Sequence, residues 1–327
     1  MGAGDNPAST RFRGPRRTMR KRRATAVVSL ALLAGCGTTT QEAPSAREAP
    51  PAVPAPPSPT EQVKSLALPF DRYELTQSQY NASQNATDVL IRQCMKRKGL
   101  DWEVIERPTR VADLTNRRRY GVVESKVARA YGYHAPIALR DPDGTKRADE
   151  RRLRTLSAAQ QKAALGQENG QGSGQESGQG NGDNQNQGTC NAKAAAQLDD
   201  AGGDYTLFNE LSPKYLKDSQ REPEVKKAMN EWSRCMKADG KDYATPYDAM
   251  NTKKWWQDAT AQIGGAEERA TAVRDVHCKE ESGLVDIWYT AESALEKAAV
   301  KKHAKYFRML EEGKERHLKA VEEVLSR

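Results

Sequence analysis

Apolar positions recur at helical spacing through most of the chain, and none of the stretches shows the strict alternation of a strand. Thr76-Gln77-Ser78-Gln79 resembles a capping box. It is followed at helical steps by Tyr80, Ser83, Thr87, Leu90 or Ile91, and Cys94, with Gly99 as a natural stop. Glu222-Pro223 sets a proline where a first helical turn tolerates it. Val225, Ala228 or Met229, Trp232, and Cys235 or Met236 then share one face, ending at Gly240. A shorter helix is predicted from Glu267 to Ser282, carrying Val273, Val276 and Cys278. After Gly283 the apolar stripe is Leu284, Trp288, Ala291, Leu295 and Ala298. It fades over Lys301 to Lys305 and resumes at Phe307, Leu310, Leu318, Val321 and Leu325. Glu312–Arg316 and Glu315–Lys319 are favourable i,i+4 pairs on the same span. One continuous helix there would be about 60 Å long. The expected fold is all-α.

Two stretches break this pattern by composition. From Gly37 to about Thr60 the chain is mostly Thr, Ala, Ser and Pro, which favours extended polyproline geometry over packing. At ~3.1 Å per residue it spans up to roughly 70 Å. Residues 166–188 are almost wholly Gly, Gln, Asn, Ser and acid, the composition of a flexible coil. The expected organisation is a leader at 1–35, a tether at 36–64, a first helical region at 65–165, the flexible tract at 166–188 and a second helical region at 189–327. The pattern does not decide whether the two regions form one domain or two.

The two regions are related. Cys94-Met95-Lys96-Arg97-Lys98-Gly99-Leu100-Asp101-Trp102 matches Cys235-Met236-Lys237-Ala238-Asp239-Gly240-Lys241-Asp242-Tyr243, and Tyr73 and Tyr215 lie at similar distances upstream. The shared pattern describes a helix whose last turn carries a cysteine and a buried methionine. The glycine takes the left-handed cap conformation, and the aromatic folds back on the helix end. Of the five cysteines, Cys94, Cys190, Cys235 and Cys278 belong to the body. Four cysteines permit three pairings. Equivalent repeats would each need their own partner, which predicts Cys94 with Cys190 and Cys235 with Cys278. Zinc, the competing use, wants closer pairs such as C-x-x-C. Copper held by Cys-Met is disfavoured because no further Met or His gathers nearby.

The fifth cysteine ends the leader. Eight Lys/Arg precede an apolar run from Ala24 to Gly35, which is too short to span a bilayer but suits a signal peptide. Its end, Leu33-Ala34-Gly35-Cys36, looks like a bacterial lipobox, so Cys36 is the expected site of lipidation. Arg16-Arg17-Thr18-Met19-Arg20-Lys21 partly resembles a twin-arginine export motif, and Met19 is an alternative start; general secretion is favoured. The leader also accounts for the charge. It holds one Asp, so +7 of the formal +8 leaves with it. The remainder is nearly neutral and without a basic patch, which excludes the electrostatic footprint of a nucleic-acid binder. Mean hydropathy is −0.86. A body this hydrophilic builds only a thin core, for which covalent cross-links are useful.

Candidate chemistry is sparse. The chain has no HExxH, G-x-S-x-G, S-x-x-K or P-loop, so no catalytic residue, metal site or cofactor is assigned. His134, His277, His303 and His317 each read as ordinary helix-surface histidines. Glu267-Glu268 and Glu280-Glu281 could serve a wall glycosidase but read better as solvated helix faces. Trp255-Trp256 and Tyr131 with Tyr133 could stack sugars or pack in the core; Trp255 and Trp256 are the candidate binding surface. The final helix could pair with a partner helix, although internal packing is the default.

The lipobox at Cys36, the Pro/Ala tether and the two C-M-K-x-x-G elements together resemble uncharacterised secreted lipoproteins of high-GC Gram-positive bacteria such as the streptomycetes. Arg118-Arg119-Tyr120-Gly121-Val122, Tyr131-Gly132-Tyr133-His134 and Trp288-Tyr289 add to the likeness. The resemblance implies a helical fold and an outer-surface location, and it implies no activity. The expectation is a non-enzymatic envelope lipoprotein. Its anchor is the membrane through the lipid on Cys36, and its partner is an envelope protein or peptidoglycan. A peptidoglycan hydrolase and a small-ligand or metal-capturing lipoprotein are the alternatives.

Overall fold

A computed structural model describes residues 53–166, 188–198 and 203–327. The leader, Cys36, most of the tether and nearly all of the Gly/Gln/Asn tract lie outside the described residues. Within them every regular element is helical and no strand occurs. In chain order the α-helices are α1 (Glu61–Ser65), α2 (Gln77–Lys96), α3 (Ser125–Tyr131), α4 (Ile137–Arg140), α5 (Thr145–Thr155) and α6 (Ala158–Leu165). They continue with α7 (Cys190–Gln197), α8 (Thr206–Ser219), α9 (Pro223–Ala238), α10 (Pro246–Met250), α11 (Ala266–Ser282), α12 (Leu284–Lys302) and α13 (Ala304–Leu325). Short 3₁₀ turns cover Pro69–Tyr73 and Lys253–Trp256.

The local signals act where the sequence puts them. Thr76 accepts from the Gln79 N–H while the Gln79 side chain accepts from Thr76, closing the box that starts α2. Pro223 occupies the first turn of α9, and Val225, Ala228, Met229, Trp232 and Met236 are its buried face. Both repeats end identically. Leu100 N–H donates to Met95 O at 3.0 Å and Lys241 N–H to Met236 O at 3.1 Å, with Gly99 and Gly240 at φ of 68° and 71°. These are paired Schellman caps, in which glycine avoids the clash a Cβ meets in the left-handed region. The disulfides join Cys94 to Cys190 and Cys235 to Cys278, each with a Cα–Cα distance of 5.6 Å. That is the pairing the repeat predicts.

The two repeat regions are not packed separately. One core joins Val63, Tyr120, Val127, Tyr131 and Tyr133 to Val225, Trp232, Val276, Leu284 and Trp288. A second joins Leu90, Ile91, Met95 and Trp102 of the first region to Val321 and Val324 of α13. A third gathers Phe70 and Tyr73 with Phe208, Leu211, Phe307 and Leu310; Tyr215 packs against it, so the two upstream tyrosines meet there. Pro51–Arg327 is therefore one compact unit.

The long C-terminal helix is present as α13, but the apolar stripe that begins at Leu284 does not form one continuous rod. The span is broken at His303 (φ −110°, ψ 36°) into α12 and α13. The break falls where the stripe fades. No apolar side chain between Lys301 and Lys305 holds a continuous rod against the core, whereas Ala299 and Phe307 on either side are both drawn into the aromatic cluster. The α13 stripe also shifts: Phe307, Leu310, His317, Val321 and Val324 are buried, and Leu325 is exposed. His317 is thus not a surface histidine. Its Nδ1 meets Leu198 O at 2.9 Å and its Nε2 meets the Ser83 hydroxyl at 2.9 Å. A carbonyl at Nδ1 requires a proton there.

Candidate functional site

Three short polar side chains on one face of α2 capture the segment that follows Trp102. Ser78 donates to Val111 O and accepts from its N–H, Asn81 donates to Pro108 O, and Asn85 both donates to Arg107 O and accepts from its N–H. This ladder satisfies backbone that no strand partner covers. Beneath it, Arg107 reaches Asp88 at 3.0 Å and Asp149 at 2.7 Å. Arg152 also bonds both carboxylates and lies 4.4 Å over the Trp102 ring. The Trp102 indole donates to Asp88 at 3.0 Å. Two carboxylates facing two guanidiniums neutralise a site that would be costly with either member missing.

This network fixes α5 against α2, and the space between them is a cleft of about 680 Å³. Its walls come from the start of α2 (Gln77, Tyr80, Asn81), the 111–118 segment and residues 135–149, with Pro59 at the edge. Leu114, Leu139, Val111 and Pro142 supply apolar lining. Five cations and three carboxylates line it as well. The carboxylates are all engaged. Asp149 holds Arg107 and Arg152, Asp141 accepts the Lys146 and Arg147 N–H groups and pairs with Arg147, and Asp143 closes a turn onto Thr145. Arg107 and Arg117 are engaged too, the latter with Glu124. Arg118, Arg140 and Lys146 have no carboxylate within ion-pair distance among the described residues. Arg118 instead donates to Tyr133 O at 2.7 Å and His134 O at 2.8 Å, and Arg140 to Ala135 O. Burial, reinforced by the neighbouring Arg117 charge, pulls the Arg118 guanidinium down to about 10. The charges of Glu124 and Glu268 act on Arg118 from beyond ion-pair distance, so its guanidinium keeps N–H groups that no carboxylate among the described residues occupies.

The same bonds explain two of the sequence's conspicuous segments, since Arg118 ties the 118–122 run to the 131–134 run. Behind them Glu268 accepts from the Tyr133 N–H and sits 2.9 Å from His134 Nδ1. Gly132, at φ 68°, makes room: a Cβ there would stand 2.5 Å from Glu268 Oε1. His134 is buried, again unlike a surface histidine; its Nε2 has no hydrogen-bond partner among the described residues and its ring stacks on Trp256 at 4.6 Å.

The sequence-predicted candidates are scattered. Trp256 is exposed, but Trp255 is buried with its indole donating to Ala249 O, so the pair forms no common platform. Tyr131 and Tyr133 are fully buried core residues. His277 is exposed on α11 and His303 caps the α12 break. Of the acidic pairs, Glu267 is exposed and bonds Lys254 while Glu268 is buried, and Glu280 and Glu281 face solvent. Cys235, Cys278 and Glu281 bring three donor atoms within 4.8 Å of one another, but the disulfide occupies both sulfurs. The residues that sequence reasoning passed over are Arg118, Arg140 and Lys146. The available signal was the Arg117-Arg118-Arg119 run in a nearly neutral body.

A second depression of about 630 Å³ runs along α9 and α12. It is lined by Pro223, Ile287, Ala291 and Leu295 with Glu222, Glu224 and Asp286 at the rim. It lacks the convergent polar groups that orient a ligand, so the cleft beside α2 is the stronger site. No family model, curated protein or solved structure matches the chain.

Proposed function

We propose that this chain is a non-enzymatic lipoprotein of the bacterial envelope, lipidated on Cys36, whose helical body works as a binding module on the outer face of the cytoplasmic membrane. The leader and lipobox support the address. Two disulfides fit an oxidising compartment. No helix among the described residues is long and apolar enough to cross a membrane. The observation that supports the binding role is the cleft beside α2, lined by three cations with no carboxylate within ion-pair distance among the described residues.

Cross-linking of a tagged chain in its native envelope, followed by mass spectrometry, tests this reading. Wild type is expected to retain a specific adduct that Thr115→Trp, which fills the cleft from its exposed rim, loses. An adduct unchanged by Thr115→Trp would remove the cleft from the account. The competing reading, a peptidoglycan hydrolase, predicts a cleared band when the mature chain is tested by zymography.

A further inference from the structure

We infer that the cleft binds a phosphate-bearing amphiphile, its head held by Arg118, Arg140 and Lys146 and its apolar chain lying along Leu114 and Leu139. This rests on the cleft being the working site. Three features select the ligand. The first is the surplus of charge. Asp149 and Asp141 are paired with arginines. Against the remaining lining carboxylate, Asp143, stand three cations without an ion-pair partner among the described residues, an excess of more than one positive charge that a phosphate matches better than a single carboxylate. The second is the donor geometry. Arg118 is fixed from one side by the Tyr133 and His134 carbonyls, at 2.7 and 2.8 Å. Those two bonds leave guanidinium N–H groups for the oxygens of a bound anion, the fork-like contact at which Arg excels. Its fixed position removes the ordering cost a free arginine would incur.

The third is the apolar wall. An inorganic ion would need only the Arg118 corner, whereas a cleft of about 680 Å³ also lined by Leu114, Leu139, Val111 and Pro142 has room for a hydrocarbon chain. The place in the chain agrees. Pro59 lines the cleft, Thr60 N–H is held by Glu124, and Tyr131 donates to Pro54 O. The cleft therefore opens at the C-terminal end of the Pro/Ala-rich stretch. A membrane phospholipid and a free phosphorylated amphiphile share this chemistry.

The test is titration of the mature chain with dodecyl phosphate, followed by intrinsic tryptophan fluorescence and calorimetry. Dodecanol, laurate and inorganic phosphate serve as controls. Saturable one-to-one binding of dodecyl phosphate is expected, about tenfold or more tighter than any control, and weakened by salt. Arg118→Gln should weaken it at least as strongly. Because Arg118 also ties two backbone carbonyls, the second probe is the double variant Arg140→Glu/Lys146→Glu, which gives up only the exposed Arg140 bond to Ala135 O; it should lose affinity about tenfold with little change in Tm. Flotation with phosphatidylcholine vesicles, with and without phosphatidic acid, separates the sources. Phosphatidic-acid-dependent flotation lost in the double variant supports a lipid ligand; dodecyl phosphate binding without flotation supports a free one. Equal binding of dodecanol and dodecyl phosphate, or affinity unmoved by the double charge reversal, overturns the proposal. If dodecyl phosphate does not bind while Thr115→Trp still abolishes the envelope adduct, this ligand class fails and the cleft survives as the site.

Discussion

The two C-M-K-x-x-G copies share a backbone and differ in what they are built into. A buried tryptophan–aspartate bond lies beside each, though not at matching positions: Trp102, which aligns with Tyr243, donates to Asp88 at 3.0 Å, and Trp232, upstream of Cys235, donates to Asp275 at 2.9 Å. In each, cations answer the carboxylate. Asp275 is met by Lys279 at 3.0 Å inside the largest core, where both side chains are almost wholly hidden. Burial there raises the aspartate and lowers the lysine, and each charge works against the other's shift. Asp88 is met by Arg107 and Arg152, and that network continues through Asp149, a third exposed, to the wall of the cleft. The Asp275–Lys279 pair is almost wholly buried, whereas the Asp88 network reaches the wall of the cleft. Repetition of a local sequence thus reproduces a helix end, while the side chains that meet it differ.

The largest effect separates the copies by their cross-links. The Cys94–Cys190 bridge closes a span of 96 residues and Cys235–Cys278 one of 43. Replacing the first pair by Ala should cost roughly 4–5 kcal/mol and the second roughly 4 kcal/mol, read as denaturant midpoints at equal m-value. A second bridge worth more than the first would break the ranking.

Asp88→Ala leaves Arg107 and Arg152 with only Asp149, and should cost about 3–5 kcal/mol. Asp275→Ala should destabilise to a similar degree. The contrast lies in binding. Among folded molecules at low temperature, loss of Asp88 should also weaken ligand at the cleft, and loss of Asp275 should not.

Between the copies, where Tyr73 and Tyr215 meet the aromatic cluster, Glu296 accepts from the Phe70 N–H while its other oxygen, 3.7 Å from the Arg119 guanidinium, has no hydrogen-bond partner among the described residues. Burial, with the neighbouring Glu292 charge, pushes the Glu296 carboxyl up to about 8 from 4.5. A carboxyl raised in the folded state holds a proton that the unfolded chain has released. Stability should therefore fall as pH rises from about 4.5 to 8. Glu296→Gln keeps an acceptor for Phe70 and should flatten that slope, with a gain on the order of 3 kcal/mol at pH 8 and little change at pH 4.5. Thermal melts at the two pH values measure it; parallel wild-type and variant curves would contradict it.

The smallest effect should be equal in both copies. Gly99 and Gly240 each have open space where a Cβ would stand, so only the left-handed backbone opposes substitution. Gly99→Ala and Gly240→Ala should each cost about 1 kcal/mol.

What was legible in the sequence followed from local rules. The capping box at Thr76, the proline start of α9 and the glycine stops depend on neighbours a few residues away, and the cysteine pairing followed from the repeat. What was not legible depended on tertiary neighbours. Trp255 and Trp256 are adjacent, yet a 3₁₀ turn sends one inward and one outward. His134 and His317 are buried because Glu268, Ser83 and Leu198 arrive from distant segments to satisfy them. Arg118 could be seen as one of three consecutive arginines, but not as the one held by carbonyls while Arg117 and Arg119 found glutamates.

The most direct measurement places a photo-cross-linking residue at Thr115 in the cleft, or at Ala294 in the acidic-rimmed groove, of the full chain in its native envelope. The account predicts a specific adduct from position 115, competed by dodecyl phosphate, and none from 294. An adduct from 294 alone, or none from 115, would contradict it.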